Sequence, residues 1–110
     1  MRQTGADDAR DADELRRLRR RIDALDRRIV RLINERADLT RKVGAAKLRT
    51  GLAIRDADRE REVLLRVAMA NQGPTPQADL VAIYRRLIAS ARALESRQRA
   101  RRRADEDGGR

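Results

Sequence analysis

Six charged side chains of this 110-residue sequence fall at spacings where apolar residues are due. Arg36 lies four residues after Leu32 and three before Leu39. Lys47 lies four after Val43, and Arg19 four after Leu15 and three before Ile22. Arg59 and Glu60 lie four and three residues before Val63, and Glu95 lies seven after Ile88 and four after Ala91. Buried charge is costly unless it is paired or liganded. Charges from three helical stretches that face one interior therefore describe a wet, polar site that awaits an anion. The bland alternative applies to any one of them: a chain with 28 Lys and Arg puts some on a stripe by chance, and Arg can snorkel from a helix edge. Arg36 replaces a core residue mid-helix, whereas Arg19 only borders the apolar seam.

The composition excludes several chemistries. Cys and His are both absent, so disulfides, thiolate or imidazole metal sites, Cys or His nucleophiles and histidine triads are ruled out. No apolar run approaches a membrane span, and MRQTGADDARDAD lacks the apolar core of a signal peptide, so a soluble cytoplasmic protein is expected. The net charge of +10 calls for an anionic partner. Residues 1–14 carry two Arg and five acids, residues 96–110 six Arg and three acids. Most of the excess thus lies in the body of the chain, where a tail does not explain it.

The elements that must position these charges are helices. Charged residues make up 42% and aromatics 1% of the chain, with few Gly and Pro, which reads as all-α. Leu15, Leu18, Ile22, Leu25, Ile29, Leu32, Leu39 and Val43 form a seam of period near 3.5, the pattern of a long helix packed on other helices. Asp13 is the expected N-cap and Gly51 the expected stop, giving a helix over about 14–49. Such a rod, roughly 50 Å at ~1.5 Å per residue, outruns a compact monomer of this size. The seam needs a second copy of itself, so an intertwined homodimer is expected. Asp56 or Asp58 caps a second helix with Val63, Leu64 and Val67 buried, ending near Asn71. Residues 71–76 (NQGPTP) form a loop. A third helix over about 77–98 carries Leu80, Val81, Tyr84, Leu87, Ile88, Ala91 and Leu94. Residues 1–12 are expected to be a flexible lead, 13–98 the helical domain, and 99–110 a disordered Arg-rich and acidic tail.

From about Leu15 to Glu95 the chain resembles the all-helical chorismate mutase family. Residues 18–26 (LRRRIDALD) are similar to the family's opening L-R-x-x-I-D-x-L-D, and Leu32-Ile33-Asn34-Glu35-Arg36 to its L-x-x-E/R-R segment. Val43-Gly44-Ala45-Ala46-Lys47 matches V-G-x-x-K, and residues 54–62 (IRDADRERE) resemble the V-x-D-x-x-R-E run. The resemblance implies a three-helix protomer with one long N-terminal helix in a domain-swapped homodimer with shared active sites. It also implies the Claisen rearrangement of chorismate, a small dicarboxylate, to prephenate, which needs no nucleophile, metal or cofactor.

By the same resemblance Arg36 and Arg19 clamp the two carboxylates, with Arg19 reaching in from the other protomer, and Arg suits this through bidentate hydrogen bonds. Lys47 is implied at the ether oxygen, where negative charge grows in the transition state. Glu60 is implied to hold the ring hydroxyl, with Asp56 beside it through its backbone and Arg59 lining the site. Val43, Val63 and Ile88 are implied as apolar walls. Two positions depart from the pattern. Ala91 stands where many members have Ser, with Ser90 adjacent. Glu95 stands where many have Gln and some fungal members Glu. A carboxylate cannot donate a hydrogen bond; only the protonated acid can. Glu95 is therefore expected to be neutral for full activity, which should fall as pH rises. A surface Glu, with the alignment slipped by one residue, is the alternative.

The sequence leaves rivals open. A mutase for 4-amino-4-deoxychorismate would share fold, clamps and mechanism, and an isochorismate pyruvate lyase shares the fold. Nucleic-acid binding is supported by the charge and by Arg97, Arg99, Arg101, Arg102 and Arg103. However, Tyr84 is the only aromatic, and the interior cations then have no role. A mutase fold with a purely structural or regulatory role, or one that works with a shikimate-pathway enzyme partner, is the third class.

Overall fold

The computed structural model of the chain describes residues 5–108, in which all regular structure is helical. The helices are α1 (Gly5–Thr50), α2 (Ala57–Ala70) and α3 (Gln77–Gly108). The chain divides into two units, Met1–Arg36 and Ala37–Arg110.

Within the first unit, α1 carries the apolar seam. None of residues 5–36 is buried, and Leu15, Leu18, Ile22, Leu25, Ile29 and Leu32 are each about half exposed. The helix begins at Gly5, well before the expected Asp13 cap. The reason is local: Ala6, Ala9 and Ala12 are strong helix formers and no Gly or Pro interrupts residues 6–14. Asp7 and Asp8 in the first turn also face the positive end of the helix dipole. Asp13 is an interior residue that pairs with Arg16 instead of capping.

The second unit contains the end of α1, then α2 and α3. The end of α1 is closed as expected at Gly51, whose φ is +73°. The Gly51 N–H donates to Leu48 O (3.4 Å) and the Leu52 N–H to Lys47 O (2.8 Å), the paired bonds of a Schellman cap. Asp56 caps α2: its extended backbone lets Oδ1 accept the Arg59 N–H at 3.0 Å. In the next loop Asn71 Oδ1 accepts the Gly73 N–H at 2.9 Å, and Asn71 Nδ2 donates to Thr75 O at 3.0 Å. The predicted stripes face inward. Val63, Leu64 and Val67 of α2 are half-buried, as are Leu80, Val81, Tyr84, Leu87, Ala91 and Leu94 of α3. Only Gly44, Ile88 and Glu95 are buried among the described residues.

The expected disorder from residue 99 is not found, because α3 runs on to Gly108. Residues 99–107 are Arg, Ala, Glu and Asp without a breaker before Gly108. The segment is also tied down where Arg99 Nη2 donates to Leu52 O at 2.6 Å. Residues 1–4 and 109–110, the remainder of the two predicted tails, lie outside the described residues.

Gly51→Ala puts a Cβ on a left-handed residue, which costs about 1 kcal/mol. At fixed protein concentration, thermal unfolding should show Tm lowered by roughly 5 °C; an unchanged Tm would mean that the cap does not hold the end of α1.

Candidate functional site

The second unit holds a charged pair that is largely buried. Lys47 stands on the last turn of α1 and Glu95 on α3, and Lys47 Nζ donates to Glu95 Oε2 at 3.3 Å and to Ile54 O at 2.7 Å. The Glu95 side chain is 6% exposed and that of Lys47 19%. Gly44, one turn before Lys47, permits this approach. A Cβ there would lie 3.0 Å from Glu95 Cγ and 3.2 Å from Gln98 Oε1, closer than side chains normally pack. Gln98 Oε1 is itself buried without a hydrogen-bond partner. The ammonium of Lys47 is thus held by one backbone carbonyl and one carboxylate, with further N–H capacity for a ligand oxygen.

A second polar group is built on the first turn of α2. The Asp56 cap sets that turn, and the Glu60 N–H donates to Asp56 O at 3.0 Å. Glu60 lies between two guanidinium groups. Arg92 Nε of α3 is 3.2 Å from Oε1, and Arg55 Nε is 3.5 Å from Oε2. A cleft of about 240 Å³ opens here, with Arg55, Glu60, Arg61, Arg85, Ile88 and Arg92 on its walls. A neighbouring cleft of about 290 Å³ is lined by Lys47, Arg55, Asp56 and Asp58. Two clefts with cationic N–H donors and carboxylate acceptors suit a small anion that carries a hydroxyl. Among the described residues no group of three carboxylates is placed to hold a metal ion, and no helix is long and apolar enough to cross a membrane.

Residues 18–96 match the family described as chorismate mutase type II. The chain belongs to that family. It is 39% identical over 89 residues to a bifunctional chorismate mutase/prephenate dehydratase of Aquifex aeolicus (strain VF5), covering 77% of this chain and 25% of that protein. It is 36% identical over 90 residues to the enzyme of the same name from Stutzerimonas stutzeri, with the same two shares. The chain therefore spans about a quarter of the length of these curated relatives. Among solved structures, a chorismate mutase (form II) from Thermus thermophilus superposes with a TM-score of 0.75 at 30% identity. That alignment covers 77% of this chain and 97% of the other.

Within this family fold the predicted site residues divide. Lys47 and Glu95 are in contact, and the alternative of a surface Glu95 is excluded by its burial. Glu60 is largely buried at the cleft. Asp56 is placed by its capping role, with Ala57 between it and the other cleft. Ala91 and Val63 are half-buried and Ile88 is buried, whereas Val43 is 51% exposed. Arg59 is exposed and lies 3.5 Å from Glu62 rather than on the Glu60 carboxylate. Arg36, half-buried, and Arg19, exposed, fall in the first unit. Sequence reasoning missed Arg92 and Arg55. Arg92 was accessible to it: four residues after Ile88 and three before Glu95, it meets the same stripe criterion as the other six. Arg55 lies in the α1–α2 connection, where no periodicity marks it.

Removing one member of a buried ion pair leaves the other uncompensated, whereas replacing both by apolar groups is much less costly. Lys47→Met should lower the stability by on the order of 3 kcal/mol at neutral pH. Adding Glu95→Met should restore most of it, as read by urea denaturation in a double-mutant cycle; strictly additive losses would show that the pair is not coupled.

Proposed function

We propose that this chain is a chorismate mutase, converting chorismate to prephenate by an intramolecular Claisen rearrangement. The observation that carries the reading is the buried Lys47–Glu95 pair, joined at 3.3 Å across α1 and α3 inside the family match. The similar chain from Thermus thermophilus, 97% of whose length aligns, carries the name of that enzyme. Only the mutase activity is proposed.

The chemistry fits side chains that bind and polarise. In the rearrangement the ether C–O bond breaks as a C–C bond forms within one molecule, so no nucleophile is required and no group leaves. Rate comes from holding the substrate in a compact reactive conformer and from donors aimed at the oxygen on which charge develops. Lys47 supplies a charged N–H to that oxygen, and Glu95 supplies a second hydrogen bond when protonated. Arg36 clamps one carboxylate, and Arg19 of the partner subunit the other. Glu60 accepts the ring hydroxyl, with Asp56 beside it and Arg59 at the edge. Ala91, Val43, Val63 and Ile88 complete the walls.

The half-exposed seam from Leu15 to Leu32 supports the intertwined homodimer. An apolar stripe of that extent is an interaction surface, and its period near 3.5 suits a second copy of the same helix. A dimer also brings in the cation that one protomer's site lacks and covers the exposed Val43.

Chorismate loss followed by absorbance, with the product identified, tests the reading. Prephenate formation should fall by about a hundredfold or more in Arg36→Ala. In the wild-type protein kcat/KM should decline from acid towards neutral pH, while Glu95→Gln, which donates at every pH, should flatten the profile. A folded protein that leaves chorismate unchanged would overturn the proposal, and a flat wild-type profile would remove the role given to Glu95.

A further inference from the structure

The arginine that sequence reasoning overlooked bears on which ring substituent the site accepts. Glu60 Oε1 faces Arg92 Nε at 3.2 Å and Oε2 faces Arg55 Nε at 3.5 Å, so one carboxylate is shared by two cations. The Glu60 side chain is 19% exposed. Arg92 Nε is buried and makes no hydrogen bond, so it meets Glu60 as a charge, although the Arg92 side chain as a whole is 39% exposed. Arg61 and Arg85 line the same cleft, where Glu60 is the only acid. Arg61 is engaged with Asp58, which lies outside that cleft. The setting of Glu60 is therefore net positive.

We propose that Arg92 is a positioning and specificity residue: with Arg55 it fixes the Glu60 carboxylate in a net-positive setting that accepts a neutral ring hydroxyl and rejects a protonated amine at the same ring position. The inference rests on the mutase reading above and narrows its substrate class. A carboxylate has about four lone-pair sites, so a hydroxyl can donate to Glu60 with both arginines in place. An ammonium group can donate as well, but it adds a third cation around one anion. Specificity then comes from a repulsive element rather than from a missing attraction. Without the Arg92 charge, Arg55 and Glu60 balance, and the penalty on the amine falls.

The test measures kcat/KM for chorismate and for 4-amino-4-deoxychorismate on the wild-type protein, Arg92→Met, Arg92→Gln and Arg92→Lys. The wild-type protein should prefer chorismate. The Met and Gln variants should narrow the ratio by about tenfold or more, and the Lys variant should keep it. In the wild-type protein the amino substrate should also gain on chorismate as pH rises and its amine loses the proton. A merely structural Arg92 would lower both substrates together and leave the ratio unchanged, and that result overturns the inference while chorismate turnover upholds the mutase reading. Turnover of neither substrate by the folded wild-type protein would instead overturn the mutase reading, and this inference with it.

Discussion

The second unit is organised around a carboxylate that has almost no water. Glu95 is 5% exposed, among the most buried residues of the chain, and it is tolerated because Lys47 reaches it from the last turn of α1. A buried charge without a partner costs several kcal/mol, so α1 must end where Lys47 can meet α3. Gly51 closes the helix within one turn of Lys47. Gly44 removes the side chain that would keep Glu95 away. The backbone carbonyl of Ile54 takes a second N–H of the ammonium, which ties the connection to the same point. One ion pair thus constrains a helix terminus, a close helix contact and a loop.

The remaining polar groups follow from that arrangement. Once α2 is started by Asp56 directly after the connection, its first turn presents Glu60 to α3, where Arg92 meets it. The charges are held as pairs in the free protein. In the proposed reaction a dicarboxylate substrate changes their partners rather than creating charge where none was. A chain without Cys or His can in this way assist the proposed reaction, which needs orientation and electrostatics alone.

Much of the fold was legible because helix periodicity and turn chemistry are local. The seam from Leu15 to Val43, the Gly51 stop, the Asp56 cap and the 71–76 loop all follow from residue type and spacing. The helix ends were not legible: residues 6–12 and 99–107 look like polar tails by composition, yet they contain no breaker and are helical. In the site, Lys47 and Glu95 were readable as charges on apolar stripes, and their contact follows from the small residue at Gly44. Arg92 obeyed the same spacing and was passed over among so many arginines. Arg55 had no periodic signal, since its partner comes from the next helix. The clamp roles given to Arg36 and Arg19 rest on family likeness, since both lie in the first unit.

The proposed mechanism has Glu95 accept from Lys47 in the free protein and act as a neutral, donating acid towards substrate. Proton uptake on binding tests it most directly. Calorimetric titration with a bicyclic dicarboxylate that mimics the transition state, repeated in buffers of different ionisation enthalpy, counts the protons taken up. The proposed role calls for net proton uptake by the wild-type protein, and for none in Glu95→Gln. Tight binding by the wild-type protein with no proton uptake would contradict it.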